Sequence, residues 1–276
     1  MAAADLKACC AAAYASPVVA WLLGTRFHPG GGALTDRLIR ALAVGPGDTV
    51  ADIACGLGES SLQVARATGA RAIGVDLSSD SIATARREAE RAGLEGSVEF
   101  LVADAEALPL ADDAVDGVLC ECSLCTFPDK ERAAAELARV LKPGGRVALS
   151  DMIAEPERLP GSLRTLDGWV ACLADARPLS GLVELLGGAG LVVEVVERHD
   201  AALAHLLDRV DARLRLARAG LASGGDSGLI ERGIELVAAA QESLELGILG
   251  YAVVVAWQPA DRPDATVGRV AASNLV

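Results

Sequence analysis

The sequence predicts an α/β fold, a largely parallel sheet with helices on both faces. Two observations predict it: short apolar runs alternate with helix-patterned stretches, and the helical stretches end in explicit stop signals. The apolar runs are 49–53, 71–75, 98–102, 117–120 and 146–150, with 191–197 and 251–257 following later. Helical spacing marks 60–68, 79–92 and 130–141 between them. Gly69 and Gly93 close the first two helices, because glycine accepts the left-handed conformation that ends a helix. Lys142-Pro143-Gly144-Gly145 closes the third and reads as a tight turn into the next strand.

At 276 residues the chain is long enough for one large domain with a full core and a small extension. Four segments are expected: a cap or lid over 1–34, a cofactor-binding core with substrate loops over 35–200, a helical insertion plus final strand over 201–257, and a loosely held tail over 258–276. The only flexible-looking linker, Gly- and Ser-rich, lies at 220–228 and splits the insertion. Leucines at helical spacing there, including Leu203, Leu206, Leu207 and Leu214, fit core packing or a subunit contact.

A net charge of −13 and a pI near 4.7 argue against nucleic acid or an anionic membrane as partner, since both need a basic footprint. The apolar stretch 11–23 is interrupted by Pro17, lacks a basic flank and is too short to span a bilayer. A soluble cytoplasmic protein acting on a small molecule is expected. Seven cysteines, an odd number without a secretion signal, fit reduced thiols in a cytosolic compartment rather than a disulfide framework.

The first strand ends in Asp52-Ile53-Ala54-Cys55-Gly56-Leu57-Gly58 and leads straight into a helix. Glycines there let the backbone approach a ligand at the strand's carboxyl end, where open parallel sheets bind ligands. The dinucleotide pattern is incomplete: Ala54 replaces its first glycine and no third glycine follows, which counts against a pyrophosphate cofactor. The second strand ends in Asp76, followed by Leu77 and Ser78; its carboxylate either accepts both ribose hydroxyls of a nucleoside or caps the next helix. After the third strand, Asp104-Ala105 stands where a carboxylate meets an adenine amine.

These residues resemble the class I S-adenosylmethionine-dependent methyltransferases over about 45–151: Asp52 to Gly58, Asp76, Asp104-Ala105, and Leu141-Lys142-Pro143-Gly144-Gly145 in the right order. The resemblance implies a Rossmann-like, seven-stranded sheet with an antiparallel last strand, and S-adenosyl-L-methionine as cofactor. It implies contacts to the cofactor's methionine part from the backbone of Gly56 and Gly58, with Asp52 and Ala54 in the same turn. It further places Asp76, with Leu77, at the ribose and Asp104 with Ala105 at the adenine. Glu121, at the end of the fourth strand, either meets the cofactor's ammonium or a substrate, or is simply solvated.

The cysteines extend the likeness. Asp5-Leu6-Lys7 with Cys9-Cys10, Cys122 ahead of Pro128-Asp129-Lys130, and a lone Cys172 on an apolar helical stretch resemble the arsenite S-adenosylmethionine methyltransferases over about 5–200. That resemblance implies an As(III) substrate bound by Cys10, Cys122 and Cys172, with Cys9 as alternative to Cys10, and re-reduction by a cellular thiol such as thioredoxin or glutathione. Trivalent arsenic keeps a lone pair and carries no proton, so its methylation needs alignment and water exclusion rather than a general base. His28, His199 and His205 lie outside the strand-four loop and read as structural. Cys55 and Cys120 read as packing residues, and Cys125 as core or a spare thiol. A closed zinc site would need a second Cys-x-x-Cys pair besides Cys122 and Cys125, and none is present. Two other readings stay open: a methyltransferase of a small organic metabolite whose cysteines shape an apolar pocket, and a non-catalytic metalloid-binding protein.

Overall fold

The computed structural model describes residues 3–14, 16–24, 26–165, 168, 172–220 and 227–260. The expected linker thus falls largely, and the expected tail almost wholly, outside the described residues. Three helices open the chain: α1 (Ala3–Tyr14), α2 (Pro17–Leu23) and α3 (Gly31–Leu42). Then come β1 (Thr49–Ile53), α4 (Glu59–Thr68), β2 (Arg71–Asp76), α5 (Ser79–Ala92), β3 (Val98–Val102) and β4 (Val115–Glu121). Among the described residues there follow α6 (Lys130–Val140), β5 (Leu141–Ala154), α7 (Leu179–Gly188), β6 (Val192–Arg198), α8 (Asp200–Gly220), α9 (Ser227–Glu245) and β7 (Leu249–Trp257).

One seven-stranded sheet runs in the order β3-β2-β1-β4-β5-β7-β6. The first five strands are parallel, and β7 runs antiparallel to both β5 and β6. This is the Rossmann-like α/β architecture expected. The chain steps outward from β1 to β3, then returns to place β4 on the other side of β1. Between β1 and β4 lies the switch point, where an open α/β sheet leaves a crevice at its carboxyl edge. Ile53 pairs with Val75 on one side and Cys120 on the other, so the loops after β1, β2 and β4 leave that edge together.

Strand alternation splits the core in two. Val50 and Leu119 join the face covered by α3, α4 and α5, whereas Ala51 and Cys120 join the face covered by α6 and α7. Gly69 and Gly93 end their helices in the left-handed conformation, with φ of +71° and +66°. The Lys142 to Gly145 turn is an interruption inside β5: Leu141 already pairs with Val115, the register then shifts, and pairing resumes at Arg146 with Gly117. The expected boundary at residue 34 falls inside α3, whose Leu34, Leu38, Ile39 and Leu42 are buried in the main core. No described helix is long and apolar enough to cross a membrane.

Candidate active site at the carboxyl edge of the sheet

One cleft collects most of the residues singled out above. Its walls include Asp52, Ala54, Gly56, Asp76, Leu77, Asp104, Ala105, Glu121, Cys10 and Cys122. Gly58 stands behind it at the start of α4 with φ +81°, where a Cβ would lie 2.6 Å from the Phe100 ring and 2.8 Å from Ala85. The missing side chain lets α4 start close against β3 and α5. Gly56 takes φ +52° in the cleft wall, and Ala54 is left-handed too, at φ +57°, a conformation that costs a residue with a Cβ about 1 kcal/mol.

The Asp76 carboxylate is held by two loops, accepting the Gly56 N–H of the turn after β1 at 2.9 Å and the Ser78 N–H of its own loop at 2.8 Å. The helix cap of α5 is Ser78, whose hydroxyl accepts the Ser81 N–H at 3.2 Å. Burial holds the Asp76 carboxyl above its ordinary range. Burial also pushes Asp52 up to about 7, against the Ser61 hydroxyl that donates to it at 2.6 Å and with the charges of Glu121 and Asp76 adding to the rise. Glu121 is nearly sealed; it accepts Ser60 Oγ at 2.6 Å and Thr35 Oγ1 at 3.1 Å, and His28 Nε2 stands 3.6 Å away. With Glu59, five carboxylates line one cleft and make an acceptor set suited to a ligand rich in amines, hydroxyls and positive charge. The residues therefore fit a cationic aminoacyl nucleoside.

The thiols separate by sheet face. Cys120 is fully buried on the α6 side, 3.1 Å from Ser123 Oγ. A strand would put Cys122 on the same face two residues later, but Cys122 has φ +51°. The left-handed residue turns the chain, and its side chain packs against the opposite core. There it packs into the core cluster that also holds Cys125 and Cys172. Cys172 Sγ also lies 3.5 Å from the Cys122 carbonyl and 3.3 Å from the Tyr14 hydroxyl. The Cys122 and Cys125 contacts bring the Cys172 thiol well below its ordinary range, helped by Tyr14 and the Lys130 charge, while Cys122 and Cys125 are held well above theirs.

The apolar helical stretch expected to carry Cys172 lies largely outside the described residues; Cys172 itself sits in a turn at φ +65°. Three residues further on, Asp175 pairs with buried Lys130, which also donates to the Phe127 carbonyl at 3.0 Å and so ties residue 175 to the loop after β4. Cys10 is buried in the cleft wall; Cys9 is half-buried and outside it. The structure brings Cys10 and Cys122 to one cleft and sets Cys172 with Cys125 behind Cys122. Among the described residues, no group of three or more His, Cys, Asp or Glu side chains is arranged to hold a metal ion.

The cleft also takes in Arg26 and Ser60, which the sequence does not single out, Lys7, which it marks only within the Asp5-Leu6-Lys7 element, and His28, expected to be structural. Lys7, Cys10, Ala11 and Tyr14 recur at i, i+3, i+4 and i+7, so the signal was present as one stripe of α1. Of the three aromatics within the expected cap or lid over 1–34, Tyr14 and Phe27 reach the cleft with ring centroids 5.5 Å apart, whereas Trp21 is exposed. His28 and Glu121 carry no helical or strand period that links them.

Comparison with known proteins adds the following. Residues 51–149 match the family described as "Methyltransferase domain". "Methyltransferase GfsG" of Streptomyces halstedii is 39% identical over 123 residues, 45% of this chain and 44% of that protein. "Arsenite methyltransferase" of Halobacterium salinarum is 32% identical over 162 residues, 58% of this chain and 41% of that protein. The chain thus spans less than half the length of either relative. A solved structure described as a putative sarcosine dimethylglycine methyltransferase from Galdieria sulphuraria superposes with TM-score 0.75 at 19% identity, covering 83% of this chain and 85% of that one.

Proposed function

From the methyltransferase domain at residues 51–149, we propose that this chain is an S-adenosylmethionine-dependent methyltransferase whose acceptor is a trivalent arsenical held by cysteine thiolates. S-adenosyl-L-methionine supplies an electrophilic methyl carried on a positively charged sulfur. Asp76 is the acceptor for its ribose hydroxyls, Asp104 with Ala105 for its adenine, and Glu121, already fixed by Ser60 and Thr35, for its ammonium. The Asp52 to Gly58 turn takes the methionine part.

One observation carries the acceptor: Cys122 and Cys172 both adopt left-handed backbone and turn their thiols into one buried cluster beside the cleft. Two β-carbon-bearing residues in that conformation cost stability, and such strain is kept where the orientation of a side chain matters to function. Arsenic(III) takes thiolates on one side and keeps its lone pair on the other, so the protein's task is to orient it and exclude water. Cys122 and Cys172 are the core pair. Cys10, from the cleft wall, is the third thiolate, with Cys125 the alternative, and a cellular thiol restores the reduced site. A cytoplasmic location fits that reductant.

A second reading has its own support. His28 and Glu121 stand 3.6 Å apart in the cleft, a pair able to take a proton from a hydroxyl, as methylation of a small organic metabolite requires. Arsenite-dependent appearance of label from methyl-labelled cofactor in a methylated arsenical decides between them. Failure of arsenite to consume cofactor would remove the arsenical reading.

A further inference from the structure

Helix α1 touches both ends of the cleft. Its stripe of Lys7, Cys10, Ala11 and Tyr14 roofs the space between them. At one end Lys7 Nζ donates to Asp104 Oδ2 at 2.6 Å and to Glu106 Oε2 at 2.5 Å. Both carboxylates are fixed from the backbone: Asp104 Oδ1 accepts the Glu106 N–H at 2.9 Å, and Glu106 Oε1 accepts the Asp129 N–H at 2.9 Å. At the other end the Tyr14 hydroxyl meets Cys172 Sγ at 3.3 Å, with its ring against Phe27. Asp104 is the acceptor for the cofactor's adenine, and Cys172 is a thiolate for the acceptor substrate. Each anchor of the roof is therefore made to a group that one of the two ligands also contacts.

A helix of 12 residues has little stability of its own and keeps its place through such contacts. We infer that Lys7 is a positioning residue: by clamping α1 to the adenine rim it sets Cys10 and Tyr14 over the thiol cluster, and so couples the two binding sites. A ligand at either end strengthens the roof on that side, and the second ligand then meets a roof already ordered. This is positive coupling carried by ordering, and it must be reciprocal. The inference rests on the thiol cluster's being the acceptor site.

Calorimetry with sinefungin, as a non-transferable cofactor analogue, and phenylarsine oxide, as a dithiol-seeking arsenical, tests it. Affinities are measured for each ligand alone and with the other saturating, in the full chain and in K7M, K7R and Y14F. In the unaltered protein each ligand is expected to tighten the other by about tenfold, equally in both directions. In K7M the coupling falls to near unity while phenylarsine oxide still binds alone; K7R, which keeps the charge, restores most of it. Y14F, which cuts the opposite anchor, uncouples the sites as well. Full coupling in K7M, or its absence in the unaltered protein when both ligands bind, overturns the inference and leaves the proposed acceptor standing. Loss in K7M with full coupling in Y14F also overturns it, because Lys7 then serves the cofactor alone. Failure of the unaltered protein to bind phenylarsine oxide overturns the acceptor reading and, with it, the inference.

Discussion

Cys122 and Cys172 lie 50 positions apart in sequence, yet each spends backbone energy to face the same cluster. Serine keeps the size and loses the soft donor, so Cys122→Ser and Cys172→Ser each separate coordination from packing. Either substitution is expected to lower arsenite-dependent methyl transfer by on the order of a hundredfold while leaving sinefungin affinity unchanged, as read by label transfer and calorimetry. Retained activity in both would remove these thiols from the site. Gly58→Ala is a steric counterpart: the added methyl meets Phe100 and Ala85 at a left-handed position, and denaturant unfolding is expected to record a loss of about 2–4 kcal/mol. Much of this scale was legible. Asp52, Ala54, Gly56, Asp76, Leu77, Asp104, Ala105 and Glu121 all face the cleft, because a turn motif at a strand end is local in sequence. The left-handed turns at Cys122 and Cys172 and the company of Cys125 were not, because they depend on packing between segments 50 residues apart.

Elements convert these residues into a site. Helix α5 starts directly after the Asp76 loop, and Ser78 both caps it and borders the cleft. Ser78→Ala leaves the Ser81 N–H without its acceptor and is expected to cost ~1 kcal/mol in denaturant unfolding, with a weaker nucleoside end as the functional trace. An unchanged midpoint would show that the cap is dispensable. Strand and helix positions were readable from period and stop signals. Their bounds were less so at β5, where the Lys142 to Gly145 segment looked like a plain turn. Only its pairing partner, Val115 on β4, reveals that the strand has already begun at Leu141. The role of α1 was hidden for a similar reason: its stripe faces loops that follow it by about 100 residues.

Across the whole molecule, an excess of negative charge surrounds carboxyl groups that folding has sealed away. Asp52 and Asp151 are both fully buried and pushed up to about 7, burial being the chief cause in each. A carboxyl with a folded value above its unfolded one holds its proton more tightly when folded, so its contribution to stability is greatest at low pH and is lost as pH rises through that interval. The thermal midpoint of the unliganded protein is therefore expected to fall between about pH 5 and about pH 7.5, and Asp52→Asn to flatten the decline. A midpoint that climbs over this range would contradict the assignment. Asp52 accepts the Ser61 hydroxyl, so the amide keeps an acceptor for that bond.

The position of β7 has a consequence in time. Among the described residues β6 pairs with no strand but β7, and β7, along its own length, covers Arg146 to Ala154 of β5. During synthesis, then, β1 to β5 can assemble the cofactor half while β5 still offers an open edge and β6 waits without a neighbour. Closure depends on β7, the last of the described strands, sliding between two that are already made, so the nascent chain is exposed to edge-to-edge association until residue 257 has emerged.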